Sequence, residues 1–248
     1  MKTILFLHGW GGDEKSFAAV EGFFRANCNC IFVRFPCFRR GAGNDNPDRP
    51  WTLDDYADLV IRTLDEKQVQ TCNIIAHSFG ARVAVLLASK YPRRFEKLVL
   101  AGPAGIPKRF SLRLWIKIKL YKFRKWLSRG RKSGLRRQPG VLPRNDAGVD
   151  LESNDKSGSS DYKVLDHNGK ITFQNIIGRD LRPEIRHITT PTLVIWGRRD
   201  RAVRRYMVKL WTKLNSNTKL VIYRSAGHFC FIDAPTRFII DVQEFINV

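Results

Sequence analysis

The chain has 248 residues, with 44 Lys and Arg against 23 Asp and Glu and a formal net charge of +21. Hydrophobic residues make up 43% and charged residues 27%, which suits a buried core and excludes an intrinsically disordered chain. No apolar run approaches the roughly 20 residues that cross a bilayer, and the strand-like run behind Lys2 is too short for a secretory leader, so a cytoplasmic location is expected.

In chain order, apolar runs bounded by turn residues predict six strands, at 3–7, 30–35, 72–76, 96–101, 191–196 and 219–223. Helical patterns fall between them, near 14–26, 52–67, 79–91, 202–214 and 235–247. Alternation of this kind predicts an α/β fold with a parallel six-stranded sheet and helices on both faces. The rhythm breaks between Gly102 and about Arg186, so residues 1–102 and 187–248 are expected to form the core and 103–186 an insertion. From Pro103 to Asn145 the insertion has fourteen Lys and Arg and no Asp or Glu. Leu112, Trp115, Ile116, Leu120, Phe123, Trp126 and Leu127 follow helical spacing, although 112–120 also alternates as a strand would. Residues 130–160 are rich in Gly, Ser, Asn, Asp and Arg and predict a mobile loop, with a short helix following from about Asp161 to Arg179.

Chemistry-bearing residues cluster at strand ends. Ser78, in His77-Ser78-Phe79-Gly80, sits where a strand turns sharply into a helix. Such a turn lifts the hydroxyl above the sheet and aims the following amide, that of Phe79, into the same space. Ala76 and Gly80 supply the small neighbours that the turn needs, Ala76 standing where the usual G-x-S-x-G pattern has glycine. The first strand runs into His8-Gly9-Trp10-Gly11-Gly12, a glycine-rich turn able to bring backbone N–H groups to an oxyanion. Asp200 follows the strand at 191–196, and His228 follows the strand at 219–223. Functional groups of open parallel sheets gather at the carboxyl ends of strands. A serine, a carboxylate and an imidazole there provide a nucleophile, its orienting acid and its base. The competing reading makes Asp200 a surface ion-pair partner of Arg198, Arg199 and Arg201, and His228 a turn residue.

The stretches LHGWGG, IIAHSFGARVA, KLVLAGPAG, PTLVIWGRRD and SAGHFCFIDAP together resemble the α/β-hydrolase superfamily, in its serine-hydrolase branch with an inserted helical cap. The order Ser, Asp, His is that of this architecture. The resemblance implies a nucleophile elbow at Ser78, a triad of Ser78, Asp200 and His228, and an oxyanion hole from the Trp10 and Phe79 amides. It makes the basic insertion the cap, His8 a support of the oxyanion loop and His77 a residue packed or hydrogen-bonded under the elbow. His167 and His187 are expected to be ordinary surface or linker residues. The family usually opens with an N-terminal hairpin before the His-Gly strand, and none is expected here. Where relatives often read Pro-Gly-x-Gly-x-Ser, this chain has Pro36-Cys37-Phe38-Arg39-Arg40-Gly41, which implies an altered loop. The serine nucleophile argues against the aspartate-based dehalogenase and epoxide hydrolase branches.

The implied function is a carboxylesterase-like serine hydrolase of small or medium acyl esters or thioesters, working through an acyl-enzyme. Carbon–carbon bond hydrolysis and peptidase-like action use the same triad. The substrate-binding residues and the oligomeric state do not follow from the sequence. Neither a cofactor nor a metal is expected. Five cysteines, at 28, 30, 37, 72 and 230, read mainly as buried thiols, and the Cys28-Asn29-Cys30 pair has no histidine or second cysteine pair near it. The excess of positive charge admits several readings. It can steer an anionic acyl substrate, rest a basic amphipathic helix on an anionic membrane, or simply be a solvated face. A different class of protein also fits, a binder of anionic ligands or nucleic acid with a silent triad, since Arg and Lys interleave with Trp and Phe over 113–126.

Overall fold

The computed structural model describes residues 1–36, 47–107, 120 and 165–248. The helix expected at 112–127 (apart from Leu120), the loop expected at 130–160, Cys37 and most of the 36–43 turn lie outside these residues. The chain divides into two units, Met1–Pro107 with Ser159–Val248, and Lys108–Gly158. All the elements below belong to the first.

Six strands form one parallel sheet: β1 (Thr3–Leu7), β2 (Asn29–Val33), β3 (Cys72–His77), β4 (Phe95–Ala101), β5 (Thr192–Gly197) and β6 (Thr218–Tyr223), in the order β2-β1-β3-β4-β5-β6. Every neighbouring pair is parallel. The helices are α1 (Ala18–Asn27), α2 (Leu53–Glu66), α3 (Phe79–Lys90), α4 (His167–Gly178), α5 (Arg182–His187), α6 (Arg205–Leu214), α7 (Cys230–Asp233) and α8 (Pro235–Ile246).

The period-two alternation of the strands sorts their side chains onto two faces. Leu5, Leu7, Ile74, Ala76, Leu98, Leu100, Val194 and Trp196 face one core with α2, α3, α5 and α6. Ile4, Phe6, Ile75, Val99, Ala101, Leu193 and Ile195 face the other, against Phe17, Phe24, Phe231, Phe238, Val242 and Ile246. Burial on both faces explains why the central strands read as continuous apolar runs. In α2 the buried stripe is Leu53, Tyr56, Ala57, Val60 and Leu64. Its first turn is closed by a capping box between Thr52 and Asp55. Each large apolar side chain so buried contributes about 1.5–3 kcal/mol.

The expected elements are present with shifted ends, each for a local reason. β2 stops at Val33 because the Phe35 amide leaves the sheet to donate to His8 Nε2 at 3.0 Å. The helix expected from 202 starts at Arg205, because the amides of Ala202 and Val203 are held by Asp200 Oδ1. The segment expected to be helical from 14 opens as a 3-10 turn, Glu14–Phe17, capped by Asp13. α4 begins later than expected, behind Asp166, whose carboxylate accepts from Gly169 N at 2.7 Å. α5, with Pro183 in its first turn, has no counterpart in the sequence reading. Cys28, Cys30, Cys72 and Cys230 are free thiols. Among the described residues no helix is long and apolar enough to cross a membrane.

Candidate active site

The carboxyl ends of β1, β3, β4, β5 and β6 converge, and the residues singled out in the sequence stand there. Ser78 joins β3 to α3 with φ 49° and ψ −103°, a left-handed conformation costing a non-glycine residue about 1–3 kcal/mol. It is held by Ser78 N donating to Ala101 O at 3.1 Å and Ala104 N donating to Ser78 O at 3.3 Å. Gly80 is required because α3 starts against the end of β1. A Cβ at Gly80 would lie 2.2 Å from the Leu7 carbonyl oxygen.

The structure brings Ser78, His228 and Asp200 into one hydrogen-bonded row. His228 Nε2 is 3.0 Å from Ser78 Oγ, and His228 Nδ1 is 2.8 Å from Asp200 Oδ2. The second Asp200 oxygen accepts from Ala202 N at 2.7 Å and Val203 N at 2.9 Å. Burial alone would raise the pKa of Asp200. The hydrogen bond and charge of His228 and the two amides outweigh it, holding the carboxyl below the usual carboxylate range. An ionised Asp200 fixes the tautomer with the proton on Nδ1, which leaves the Nε2 lone pair toward Ser78. Asp200 is thus committed inward, and its side chain is fully buried despite three flanking arginines.

Two glycines let the Asp and His loops meet. A Cβ at Gly197 would fall 2.0 Å from the Gly227 carbonyl oxygen. The loops are then tied by Arg198 N to Tyr223 O and Arg199 N to Ala226 O, both 2.9 Å. Gly102, at φ +52°, passes beneath the row, and a Cβ there would lie 3.1 Å from His228 Nδ1 and 3.3 Å from Asp200 Oδ2. Neither glycine is singled out by the sequence reading. Their only signal there is a glycine directly after an apolar run.

Phe79 is the first residue of α3, so its amide belongs to the positive end of that helix. Trp10 follows β1, its ring 6.5 Å from that of Phe79 and 4.5 Å from that of Phe173 on α4. His8 donates from Nδ1 to Gly9 O at 2.9 Å and accepts the Phe35 amide at Nε2. Burial pushes its pKa below the ordinary histidine value. His77, also buried, donates from Nε2 to His228 O at 3.2 Å. Burial, and next the nearby His228, push its pKa down to about 3, so it is neutral. His167 and His187 are exposed, and His187 donates from Nδ1 to Pro183 O on its own helix. Among the described residues no group of three or more His, Cys, Asp or Glu could hold a metal ion.

Comparison with known proteins agrees with this fold. A family model described as alpha/beta hydrolase fold matches residues 2–235. A strigolactone esterase of Pisum sativum, RMS3, is 33% identical over 106 residues, which cover 41% of this chain and 38% of that protein. The uncharacterized hydrolase YugF of Bacillus subtilis is 25% identical over 251 residues, covering 99% of this chain and 90% of its own. Among solved structures, the enol-lactonase from Burkholderia xenovorans LB400 superposes with a TM-score of 0.70 at 17% identity, covering 100% of this chain and 92% of that one.

Proposed function

This chain belongs to the α/β-hydrolase fold family, and on that premise we propose that it is a carboxylesterase-like serine hydrolase of small or medium acyl esters or thioesters. The observation that carries the reading is the row Ser78 Oγ, His228 Nε2, His228 Nδ1, Asp200 Oδ2, with steps of 3.0 and 2.8 Å. A serine hydroxyl is a weak nucleophile near neutral pH and needs a base within hydrogen-bond reach. The esterase among the partial relatives supports an acyl ester as the substrate class.

Ser78 Oγ attacks the acyl carbon while its proton passes to His228 Nε2. The carbonyl oxygen becomes an oxyanion, stabilised by the amides of Phe79 and Trp10. Losing one such donor typically raises the barrier by about 3 kcal/mol. Asp200 stays ionised, keeps the imidazole oriented and stabilises the imidazolium. The carbon–oxygen or carbon–sulfur bond then breaks, and His228 returns the proton to the departing alcohol or thiol. A water attacks the acyl-enzyme by the same route, giving its proton to Nε2. The free acid leaves and the proton returns to Ser78.

The test is hydrolysis of p-nitrophenyl esters from acetate to laurate by the wild type and Ser78→Ala. The proposal expects turnover with one chain-length optimum and a loss of about 1000-fold or more in kcat for the variant. A Ser78→Ala rate equal to wild type would refute it.

A further inference from the structure

The loop that delivers Asp200 carries far more charge than the row of catalytic groups uses. Arg198, Arg199, Arg201, Arg204 and Arg205 fall within eight residues, and all five are exposed. Lys209 and Lys213 continue the series along α6, and Asp200 is the sole acid from 198 to 217. Asp200 cannot neutralise them. Its oxygens are taken by His228 and two backbone amides, and its side chain is fully buried. None of the five arginines forms an ion pair with a carboxylate among the described residues. Guanidinium groups this close in sequence, with no carboxylate partner among the described residues, repel one another, so the arrangement fits a partner that supplies negative charge.

The neighbouring loop adds a second property. It is tied to the arginine loop through the amides of Arg198 and Arg199. Beyond the exposed Arg224 and the base His228 it presents Phe229 and Ile232, which are 47% and 51% exposed. Cationic and apolar side chains are therefore exposed on two adjoining segments at the carboxyl end of the sheet, where Ser78 also stands. A single small anion engages one or two guanidinium groups, whereas a field of lipid headgroups engages them all and also receives apolar side chains. We propose that this rim seats the protein on anionic phospholipid bilayers through Arg198, Arg199, Arg201, Arg204 and Arg205, with Phe229 and Ile232 entering the headgroup region.

The experiment uses the 248-residue chain carrying Ser78→Ala, so that vesicle binding is read apart from ester chemistry. Its co-sedimentation is measured with phosphatidylcholine vesicles and with vesicles one-third phosphatidylglycerol, at low and moderate salt. The proposal expects a partition onto the anionic vesicles about tenfold or more above neutral ones, falling with salt. R198Q/R199Q/R201Q should lower it about tenfold, and Phe229→Ser should remove binding that survives added salt. Thermal unfolding of each variant confirms that it is folded. If the triple variant unfolds, R204Q/R205Q gives the same test with an expected loss of several-fold. Equal binding to both compositions, no binding, or undiminished binding by folded arginine variants would overturn the proposal. So would binding of a DNA duplex by a chain that ignores anionic vesicles.

Discussion

His77 Nε2 stands 3.2 Å from the carbonyl oxygen of His228, so the residue before the proposed nucleophile holds the backbone of the proposed base. The two rings lie 4.7 Å apart, and His77 is almost wholly buried. A Cβ at Gly9 would fall 2.6 Å from His77 Nδ1, so the imidazole is wedged between the β1 loop and the His228 loop. In the proposed mechanism this donor matters for where His228 sits, not for the proton it takes.

Replacing His77 with Ala leaves a part-buried carbonyl without its donor and loosens the His228 loop, at a cost of about 1–3 kcal/mol. Kinetics on a soluble ester should show kcat reduced about tenfold or more, with KM little changed. His77→Asn, which restores an N–H donor, should recover part of the loss. Equal kcat in His77→Ala and wild type would remove His77 from this positioning role.

The same histidine makes stability depend on pH. Its pKa is pushed down to about 3 in the folded chain, mainly by burial, against about 6.5 when unfolded. Between those values the unfolded chain binds a proton that the folded chain does not, so this stability is present above pH 6.5 and is lost as pH falls. His8, also lowered by burial, adds in the same direction. Urea unfolding at stepped pH should show stability dropping below pH 6.5, with His77 contributing up to about 1.4 kcal/mol per pH unit. His77→Asn should flatten the slope, and an unchanged slope would contradict the assignment.

Gly102→Ala places a methyl 3.1 Å from both Nδ1 and the carbonyl oxygen of His228, at a φ of +52°. The backbone strain costs about 1–2 kcal/mol. The larger effect is on geometry, because the methyl displaces the His228 imidazole from its 3.0 Å approach to Ser78. Steady-state kinetics should show kcat lowered by about tenfold to 100-fold with the far-ultraviolet circular dichroism unchanged.

Arg82 is buried on α3 and donates from Nη1 to the carbonyls of Ile176 and Arg179, both at 2.9 Å, so it closes the end of α4. Burial pulls its pKa down to about 10, which still leaves it charged at neutral pH. Arg82→Met keeps the bulk and removes the donors. Equilibrium unfolding should show a loss of about 2–4 kcal/mol, and a loss under about 0.5 kcal/mol would show that α4 is held by packing alone.

Much of this arrangement is legible in the sequence because each chemistry-bearing residue ends an apolar run. Ile74-Ile75-Ala76 announces Ser78, Leu193-Val194-Ile195-Trp196 announces Asp200, and Leu220-Val221-Ile222-Tyr223 announces His228. The parallel sheet follows from the alternation of such runs with helical stretches. What does not show is contact between segments distant in sequence. Gly102 and Gly197 are ordinary loop glycines until the His228 loop is seen to pass within van der Waals reach of them. Arg82 looks like a solvent-facing cation on an apolar helix, and only the packing of α4 turns it into a buried cap. The shortened β2 depends on His8 capturing the amide of Phe35, a bond across 27 residues.

The central claim is that Ser78 is the nucleophile, activated by His228. Labelling the folded protein with a fluorophosphonate and locating the adduct by mass spectrometry tests it most directly. One adduct per chain on Ser78, absent from Ser78→Ala and strongly slowed in His228→Ala, is the expected result. No adduct on the folded wild type, or an adduct elsewhere that persists in Ser78→Ala, would contradict it.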